Sequence, residues 1–198
     1  MKRDDRVRQI EQVAAEMFFA NSYHGTGLRD IARAVGVRPA SLYHHFASKQ
    51  DLLFSVLGHT IDDLLAGADE VLAAEADVRG QLAGLVRRFI LLVSARQREG
   101  AVGDIELRSL EPDNRKVLID KRDRYQRCYE DVIERGVAEG VFSVIDAKLS
   151  TYAILGMCNH VSMWYQPGGA RTIEDIAAAY GMMARRIVGD MQAGPATG

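Results

Sequence analysis

Residues 28–46, LRDIARAVGVRPASLYHHF, constrain the fold more than any other stretch of this chain. The pattern predicts a helix, a tight turn and a second helix. In the first helix, apolar residues recur at three- and four-residue spacing and form one inward face: Leu28, Ile31, Ala32 and Val35. Gly36 ends this helix, because glycine accepts the left-handed conformation at a helix C-terminus. Pro39 suits the first turn of the second helix, where its missing N–H costs nothing.

The second helix of this stretch has one apolar side and one polar side. Leu42 and Phe46 would anchor it to a core. A turn this short holds two helices at a steep angle, so that the second can enter a DNA major groove. Its polar side carries groups that meet phosphates or base edges: Arg38, Ser41, Tyr43, His44 and His45. Ser48 is predicted to cap a further helix, with Lys49 at its start, where free N–H groups favour a phosphate.

Three segments resemble the N-terminal signature of the TetR family of bacterial transcriptional regulators: GV at 36–37, SLYHHF at 41–46 and SKQDLL at 48–53. The resemblance implies an all-α homodimer that binds double-stranded operator DNA and usually represses until a small-molecule effector binds. The expected domains are a three-helix DNA-binding domain (1–50), a helical ligand-binding and dimerisation domain (51–192) and a flexible tail (193–198).

The same resemblance assigns DNA-facing roles to particular residues: Arg38, Ser41, Tyr43, His44 and Lys49, with Thr26 near the start of the first motif helix. Gly27 departs from the family pattern, which commonly has a second Thr or a similar capping residue there. The competing interpretation is that residues 28–46 are an ordinary helical corner with a polar surface.

Composition and charge bound the class of protein. The chain has 198 residues and a net charge of −2, yet residues 1–50 are net +3 and the remainder is net −5. A basic head on an acidic body suits a protein that presents one end to phosphates. No apolar run reaches the about 18 residues that span a bilayer, and no signal-peptide core is found, so a cytoplasmic protein without a membrane segment is expected.

The chain shows no recognisable catalytic constellation, metal-ligand spacing or phosphate-binding loop, so no catalytic residue, metal or cofactor is predicted. Its two cysteines, Cys128 and Cys158, are isolated and are expected to be reduced, buried thiols.

The body is predicted to consist of long helices. One from Lys49 to about residue 74 begins in the head and ends in the body, so it is the predicted mechanical link. Helices starting after Asp146 and Thr172, separated by the break at 166–169, form a predicted hairpin. Small side chains in it allow close helix approach: Ala153, Gly156, Ala177, Ala178, Ala179 and Gly181. Two such hairpins would form a four-helix dimer interface.

A looser resemblance concerns the effector. WYQPGG at 164–169 and ELR at 106–108 resemble TetR-family regulators linked to lipid and steroid degradation, several of which respond to acyl-CoA thioesters. The candidate ligand-binding site is mostly apolar with a few polar groups: Leu85, Phe89, Leu92, Ile105, Arg108, Leu110, Tyr125, Met157, Asn159, His160, Val161 and Trp164. Each of these residues could instead belong to the core or to a dimer contact.

Three alternatives remain open at this point. The effector could belong to another class, such as a drug or an aromatic compound that is exported. The protein could bind DNA without any effector, or it could be a helical acyl-CoA-binding enzyme. Repression and activation differ by the position of the operator relative to a promoter, which the protein sequence does not contain.

Overall fold

The computed structural model describes residues 3–190 and residue 192, without the side chains of residues 3, 4 and 104. All regular structure in this part is helical, which confirms the predicted all-α class. The helices described are α1 (Arg3–Gly25), α2 (Leu28–Val35), α3 (Pro39–Tyr43), α4 (Lys49–Ala74), α5 (Val78–Ala95), α6 (Gln97–Glu106), α7 (Pro112–Ala138), α8 (Ala147–Trp164) and α9 (Ile173–Ile187). A 3-10 turn at Leu107–Ser109 follows α6. The predicted tail at 193–198 lies outside the described residues.

The first three helices bury the apolar faces that their spacing predicts. Ile10 and Phe18 of α1 are each 1% exposed, and Ile31 and Ala32 of α2 have no exposed surface. Helix α1 packs on α2, and α2 packs on α3. Because helices as short as α2 and α3 are marginal alone, this shared core is what keeps them folded.

Helix α1 is longer than predicted and is broken near its end. The periodicity predicts a helix from Arg6 to about Ser22, whereas α1 extends to Gly25 with Ser22 at φ 61°, ψ 163°. This backbone region is nearly restricted to glycine and costs a residue such as serine about 1–3 kcal/mol. The sequence does not indicate the break, because serine is not a typical residue at positive φ.

The chain divides into two compact units. Unit 1 combines the chain up to Asp62 with Arg96–Lys121, and unit 2 combines Asp63–Ala95 with the chain from Arg122 onward. Helices α4 and α7 therefore each contribute residues to both units. The domain boundaries expected from the sequence, at 50/51 and 192/193, stay a prediction.

Unit 2 is built around α5, which packs against α8 and α9. Leu82, Val86 and Ile90 of α5 have no exposed surface. Gly181 of α9 is buried against the same helix, and a Cβ at this position would lie 3.6 Å from the Cβ of Ala83. The prediction that Gly181 serves a dimer interface is therefore wrong, because the close approach that it permits is to α5 of its own chain.

Predicted helix caps in the body are confirmed. The Asp146 carboxylate accepts a hydrogen bond from the Leu149 N–H at 2.7 Å. Thr172 and Asp175 form a reciprocal capping box at the start of α9. Hydrogen bonds from the Thr172 side chain and backbone lower the pKa of the Asp175 carboxyl, so both partners stabilise the start of α9 at neutral pH.

A buried carboxylate, Asp190, joins the end of α9 to α5. Its side chain has no exposed surface and lies 2.6 Å from Arg185 Nη2 and 3.2 Å from Arg79 Nε. Burial favours the neutral acid, but hydrogen bonds from Arg185, the Gln192 N–H and Arg79 outweigh it and hold the pKa of Asp190 below its usual value. The carboxylate is thus charged and fully bonded in the folded protein.

One side of α8 and α9 leaves large apolar side chains exposed. They are Leu149 (63% exposed), Tyr152 (48%), Met163 (72%), Met183 (48%) and Ile187 (38%). Gly156 lies on the same side of α8, and a Cβ added to it would meet no atom within 4 Å. An apolar face of this extent is typical of a protein–protein contact.

Candidate nucleic-acid interface

The turn between α2 and α3 has the geometry that Gly36 predicts. Gly36 adopts φ 75°, ψ 33°, and the N–H of Val37 donates to the Ala32 carbonyl at 2.9 Å. This bond runs from the sixth residue of the turn, Val37, back to the first, Ala32, which is the Schellman motif. It gives a hydrogen-bond partner to a carbonyl at the end of α2. Arg38 is extended and Pro39 begins α3, so only Gly36, Val37 and Arg38 separate the two helices.

Helix α3 is anchored on one side and free on the other. Leu42 has no exposed surface and Phe46 is 5% exposed, whereas Tyr43 is 52% exposed. Arg38, Ser41 and His44 are also exposed. The side chains of these four exposed residues make no hydrogen bond or ion pair within the described part of the chain. A guanidinium, two hydroxyls and an imidazole are therefore presented together to solvent, which is what phosphate and base-edge contacts need.

Thr26 and Lys49, the other two predicted DNA contacts, lie differently. Thr26 is 3% exposed, and its hydroxyl donates to the carbonyls of Met17 and Ser22. Lys49 Nζ donates to the carbonyls of Tyr23 (3.0 Å) and Thr26 (3.1 Å) and lies 4.2 Å from the centre of the Tyr23 ring. Lys49 thus holds the α1–α2 connection to the start of α4, and Thr26 holds it to α1. Their predicted roles at DNA stay a prediction.

Three further residues of this region were not predicted to be functional. Tyr23, Gln50 and the buried Glu106 connect α1, α4 and the end of α6 by side-chain hydrogen bonds. The contact from Tyr23 to Glu106 spans 83 positions of sequence. Local spacing carries no signal for such a contact.

The predicted effector residues of unit 2 fall into a buried group and an outer group. Leu85, Phe89 and Tyr125 are buried, and the rings of Phe89 and Tyr125 lie 5.8 Å apart. The Tyr125 and Tyr129 hydroxyls are hydrogen-bonded at 3.2 Å, and burial raises the pKa of both phenols, so both stay neutral. Val161 is buried as well.

The outer group lies on α5 and α8 of unit 2. Leu92 and Met157 are half-buried, and Asn159 and His160 are exposed. Trp164 is 45% exposed and is hydrogen-bonded to the hydroxyl of Tyr180. Trp164 therefore ties the end of α8 to α9, while its predicted role toward a ligand is still a prediction.

In unit 1, the predicted residues Ile105 and Arg108 line one open cleft of about 480 Å³ together with Leu107 and Arg115. Leu110, another predicted residue, follows this segment in the sequence and is buried. Neither arginine has an ion-pair partner within the described residues. Two unpaired guanidinium groups beside two apolar side chains suit an amphipathic anion.

The two cysteines are free thiols, as expected. Cys158 is buried, and burial raises its pKa to about 12. The expectation that Cys128 is buried is wrong, because this residue is half-buried. Burial together with Asp69 and Asp131 raises the pKa of Cys128 as well. Thiols of this kind react slowly, since the thiolate is the reactive form. Among the described residues, no group of three or more His, Cys, Asp or Glu side chains could hold a metal ion.

Two short helices joined by a glycine turn, with the polar side of the second one exposed, are typical of a helix-turn-helix DNA-binding protein. The model of the tetR family of bacterial regulatory proteins matches residues 10–56, and the model of the tetracyclin repressor-like C-terminal domain matches residues 75–188. The chain belongs to the tetR family, and it is a DNA-binding transcriptional regulator.

Relatives of this chain include the HTH-type transcriptional repressor KstR2 of Rhodococcus jostii, which is 30% identical over 90% of this chain and 88% of its own length. The solved structure of KstR2 of Mycobacterium tuberculosis, a ketosteroid transcriptional regulator, is 26% identical with a TM-score of 0.81, covering 93% and 94% of the two chains. AibR, solved in complex with isovaleryl coenzyme A and operator DNA, is 25% identical with a TM-score of 0.79, covering 94% and 100%.

Proposed function

We propose that the protein is a dimeric repressor that leaves its operator when an acyl-CoA thioester binds. One observation carries this proposal: the polar side of α3 is exposed and its side chains have no partner within the described residues. These side chains form a surface for DNA and are Arg38, Ser41, Tyr43 and His44. Thr26 and Lys49 are the other two residues proposed for DNA binding. They act by bonding the carbonyls of Ser22 and Tyr23, which keeps the backbone before α2 in place. The repressor KstR2 and the CoA-bound regulator AibR support the repressing role and the effector class.

The exposed apolar face of α8 and α9 supports the dimer. Two copies that bury Leu149, Met163 and Met183 against one another would remove this face from water. A two-fold dimer presents two α3 elements to half-sites about 34 to 36 Å apart on a near-palindromic operator. Action on chromosomal DNA places the protein in the cytoplasm. No helix in the described part of the chain is long and apolar enough to cross a membrane.

The cleft of unit 1 supports an amphipathic, anionic effector. Ile105 and Leu107 offer apolar contact, and the guanidinium groups of Arg108 and Arg115 offer partners for phosphate or carboxylate oxygens. A separate group of proposed ligand-binding residues lies in unit 2 and is mostly apolar with a few polar groups: Leu85, Phe89, Leu92, Tyr125, Met157, Asn159, His160 and Trp164. The buried members of this set require unit 2 to open for a ligand.

Release follows if the effector binds the DNA-incompetent state more tightly than the DNA-competent state. A coupling free energy of about 1–3 kcal/mol is typical and lowers operator affinity by about 5- to 150-fold. Helix α4 starts at the head and ends in unit 2, so a shift of this helix is the proposed means of release.

The test uses an operator selected by the purified protein from random duplex DNA. Fluorescence anisotropy then measures operator affinity at fixed salt with acyl-CoAs of short, long and steroid-derived acyl chains. Free CoA and the free acids are matched controls. Release by a thioester and not by its separate halves supports the proposal. Operator binding that no acyl-CoA changes contradicts the effector class, and failure to select any operator contradicts the repressor itself.

A further inference from the structure

The strained backbone at Ser22 marks the joint between α1 and α2. Tyr23 follows the break and is buried, with 5% of its surface exposed. In a continuous helix each N–H donates to the carbonyl four residues earlier. The N–H of Tyr23 donates to Glu106 Oε1 at 2.8 Å, and Glu106 is the last residue of α6.

Glu106 is held in place from its other side. Its second oxygen accepts a hydrogen bond from Ser109 Oγ at 2.6 Å, and the side chain is 5% exposed. No further partner of this carboxylate is found among the described residues. One oxygen thus binds the backbone of the joint and the other binds the 3-10 turn after α6. A buried carboxylate that has only these two partners loses much if either is removed.

Gln50 provides a parallel connection within unit 1. Its Nε2 donates to the Tyr23 hydroxyl and to the Ser109 carbonyl, each at 2.8 Å. Its Oε1 accepts from the Glu111 N–H at 3.0 Å. Lys49, the preceding residue, holds the Tyr23 carbonyl. Tyr23 is therefore bonded through its N–H, its carbonyl and its hydroxyl.

We infer that Glu106 is a positioning residue for DNA binding. Its hydrogen bond to the Tyr23 N–H fixes the connection between α1 and α2, and this connection sets the orientation of α2 and α3. The inference rests on the proposed function, since its effect is on operator affinity. Backbone strain persists only where the surroundings hold it. Without Glu106, the backbone at Ser22 relaxes, and α2 and α3 lose the orientation that operator binding needs.

Glu106 also lies where an effector can act on it. Its neighbours Ile105, Leu107 and Arg108 line the open cleft with Arg115. The segment 105–108 therefore lines the cleft with three of its side chains and binds the Tyr23 N–H with the fourth, Glu106. A molecule bound in the cleft would contact the residues on both sides of Glu106 in the sequence, Ile105 and Leu107.

The first experiment compares operator affinity of full-length variants by fluorescence anisotropy, with the selected operator at fixed salt. Glu106→Ala should weaken binding about tenfold, because it leaves a buried N–H unpaired. Glu106→Gln should stay within about threefold of wild type, since an amide oxygen can still accept from Tyr23. Asp190→Ala is the matched control: it removes a buried carboxylate of unit 2, so it should lower the melting temperature and leave operator affinity unchanged well below that temperature.

The second experiment measures hydrogen exchange of the peptide that contains Tyr23, without DNA. Exchange should be faster in Glu106→Ala and close to wild type in Glu106→Gln, a local effect that a general loss of stability does not produce in Asp190→Ala. If Glu106→Ala does not fold, Ser109→Ala replaces it and should weaken operator binding about threefold with faster exchange at Tyr23.

Wild-type affinity and wild-type exchange in the folded Glu106→Ala or Ser109→Ala protein would overturn the inference, as would an equal loss of affinity in Asp190→Ala. If no operator can be selected, the proposed function fails on its own. The exchange comparison then still decides whether Glu106 holds the joint.

Discussion

Gly36 has a backbone conformation that other residues adopt only with strain. Its φ of 75° permits the Val37 to Ala32 hydrogen bond that ends α2 and directs the chain into α3. A side chain at this φ brings Cβ close to the following carbonyl oxygen. The angle between α2 and α3, and therefore the presentation of α3, depends on this one glycine.

Gly36→Ala should destabilise the protein by about 1–2 kcal/mol, because alanine is strained in the left-handed region. Urea unfolding with an unchanged m-value measures this loss. Gly100→Ala is the control, since Gly100 lies in α6 without positive φ and a Cβ there would meet no atom within 4 Å. That variant should be as stable as wild type or slightly more stable. Equal effects of the two substitutions would contradict the role of Gly36.

The sequence predicts local features of the head well and nonlocal ones poorly. The Gly36 turn, the Ser48 cap of α4 and the anchoring by Leu42 follow from local rules of helix ends and spacing, and the structure confirms them. The bond from Tyr23 to Glu106 joins residues 83 positions apart, which local rules do not relate. The positive φ of Ser22 has no local signal either, since serine is not a typical residue there.

Helix α9 shows what composition can and cannot tell about an element. Its start follows from the capping box of Thr172 and Asp175. Its small residues indicate a close helix contact, but not which helix is the partner. Gly181 meets α5 of the same chain, whereas Gly156 of α8 remains on an open face. Only the packing of unit 2 separates these two roles.

The contact between α9 and α5 depends on Asp190, which bonds to Arg185 and Arg79. Asp190→Ala should lower the free energy of unfolding by about 2 kcal/mol at neutral pH, as expected when hydrogen bonds to a buried charged group are lost. Because the pKa of Asp190 is lower in the folded than in the unfolded protein, its contribution is fully present above the unfolded pKa.

That contribution begins to fall as the pH drops below the unfolded pKa of about 4, and it is gone once the pH lies below the lowered folded pKa. Chemical denaturation of wild type and Asp190→Ala between pH 3 and pH 7 measures the difference. The gap between the two proteins should narrow toward acid pH. A gap that stays constant over this range would show that the carboxylate charge contributes nothing.

At the scale of the whole molecule, the exposed face of α8 and α9 and the polar side of α3 have to act together. A single head offers few phosphate contacts, and a dimer doubles them across two half-sites. The sequence predicted the hairpin from which this face is made. It did not predict that the chain divides into units that each draw on two separate segments, because that division depends on which helices pack together.

Gly156→Leu and Gly181→Leu should separate assembly from folding. Leucine at Gly156 enlarges an open face, so it should disturb the dimer in light scattering while the protomer stays folded by circular dichroism. Leucine at Gly181 overpacks the contact with Ala83, so it should lower the melting temperature by a loss of about 1–3 kcal/mol. A normal dimer in Gly156→Leu would contradict the proposed interface.

The exposed side of α3 is the proposed DNA-binding surface on which the function of the whole molecule depends. The most direct test compares wild type with Tyr43→Ala on the selected operator, by anisotropy at two salt concentrations. Tyr43 is half exposed, and its side chain makes no hydrogen bond within the described residues. The substitution should therefore leave melting temperature and dimer unchanged and weaken operator affinity by about 1 kcal/mol, roughly fivefold. Wild-type affinity of a folded, dimeric Tyr43→Ala protein at both salt concentrations would contradict the assignment of α3 as the recognition helix.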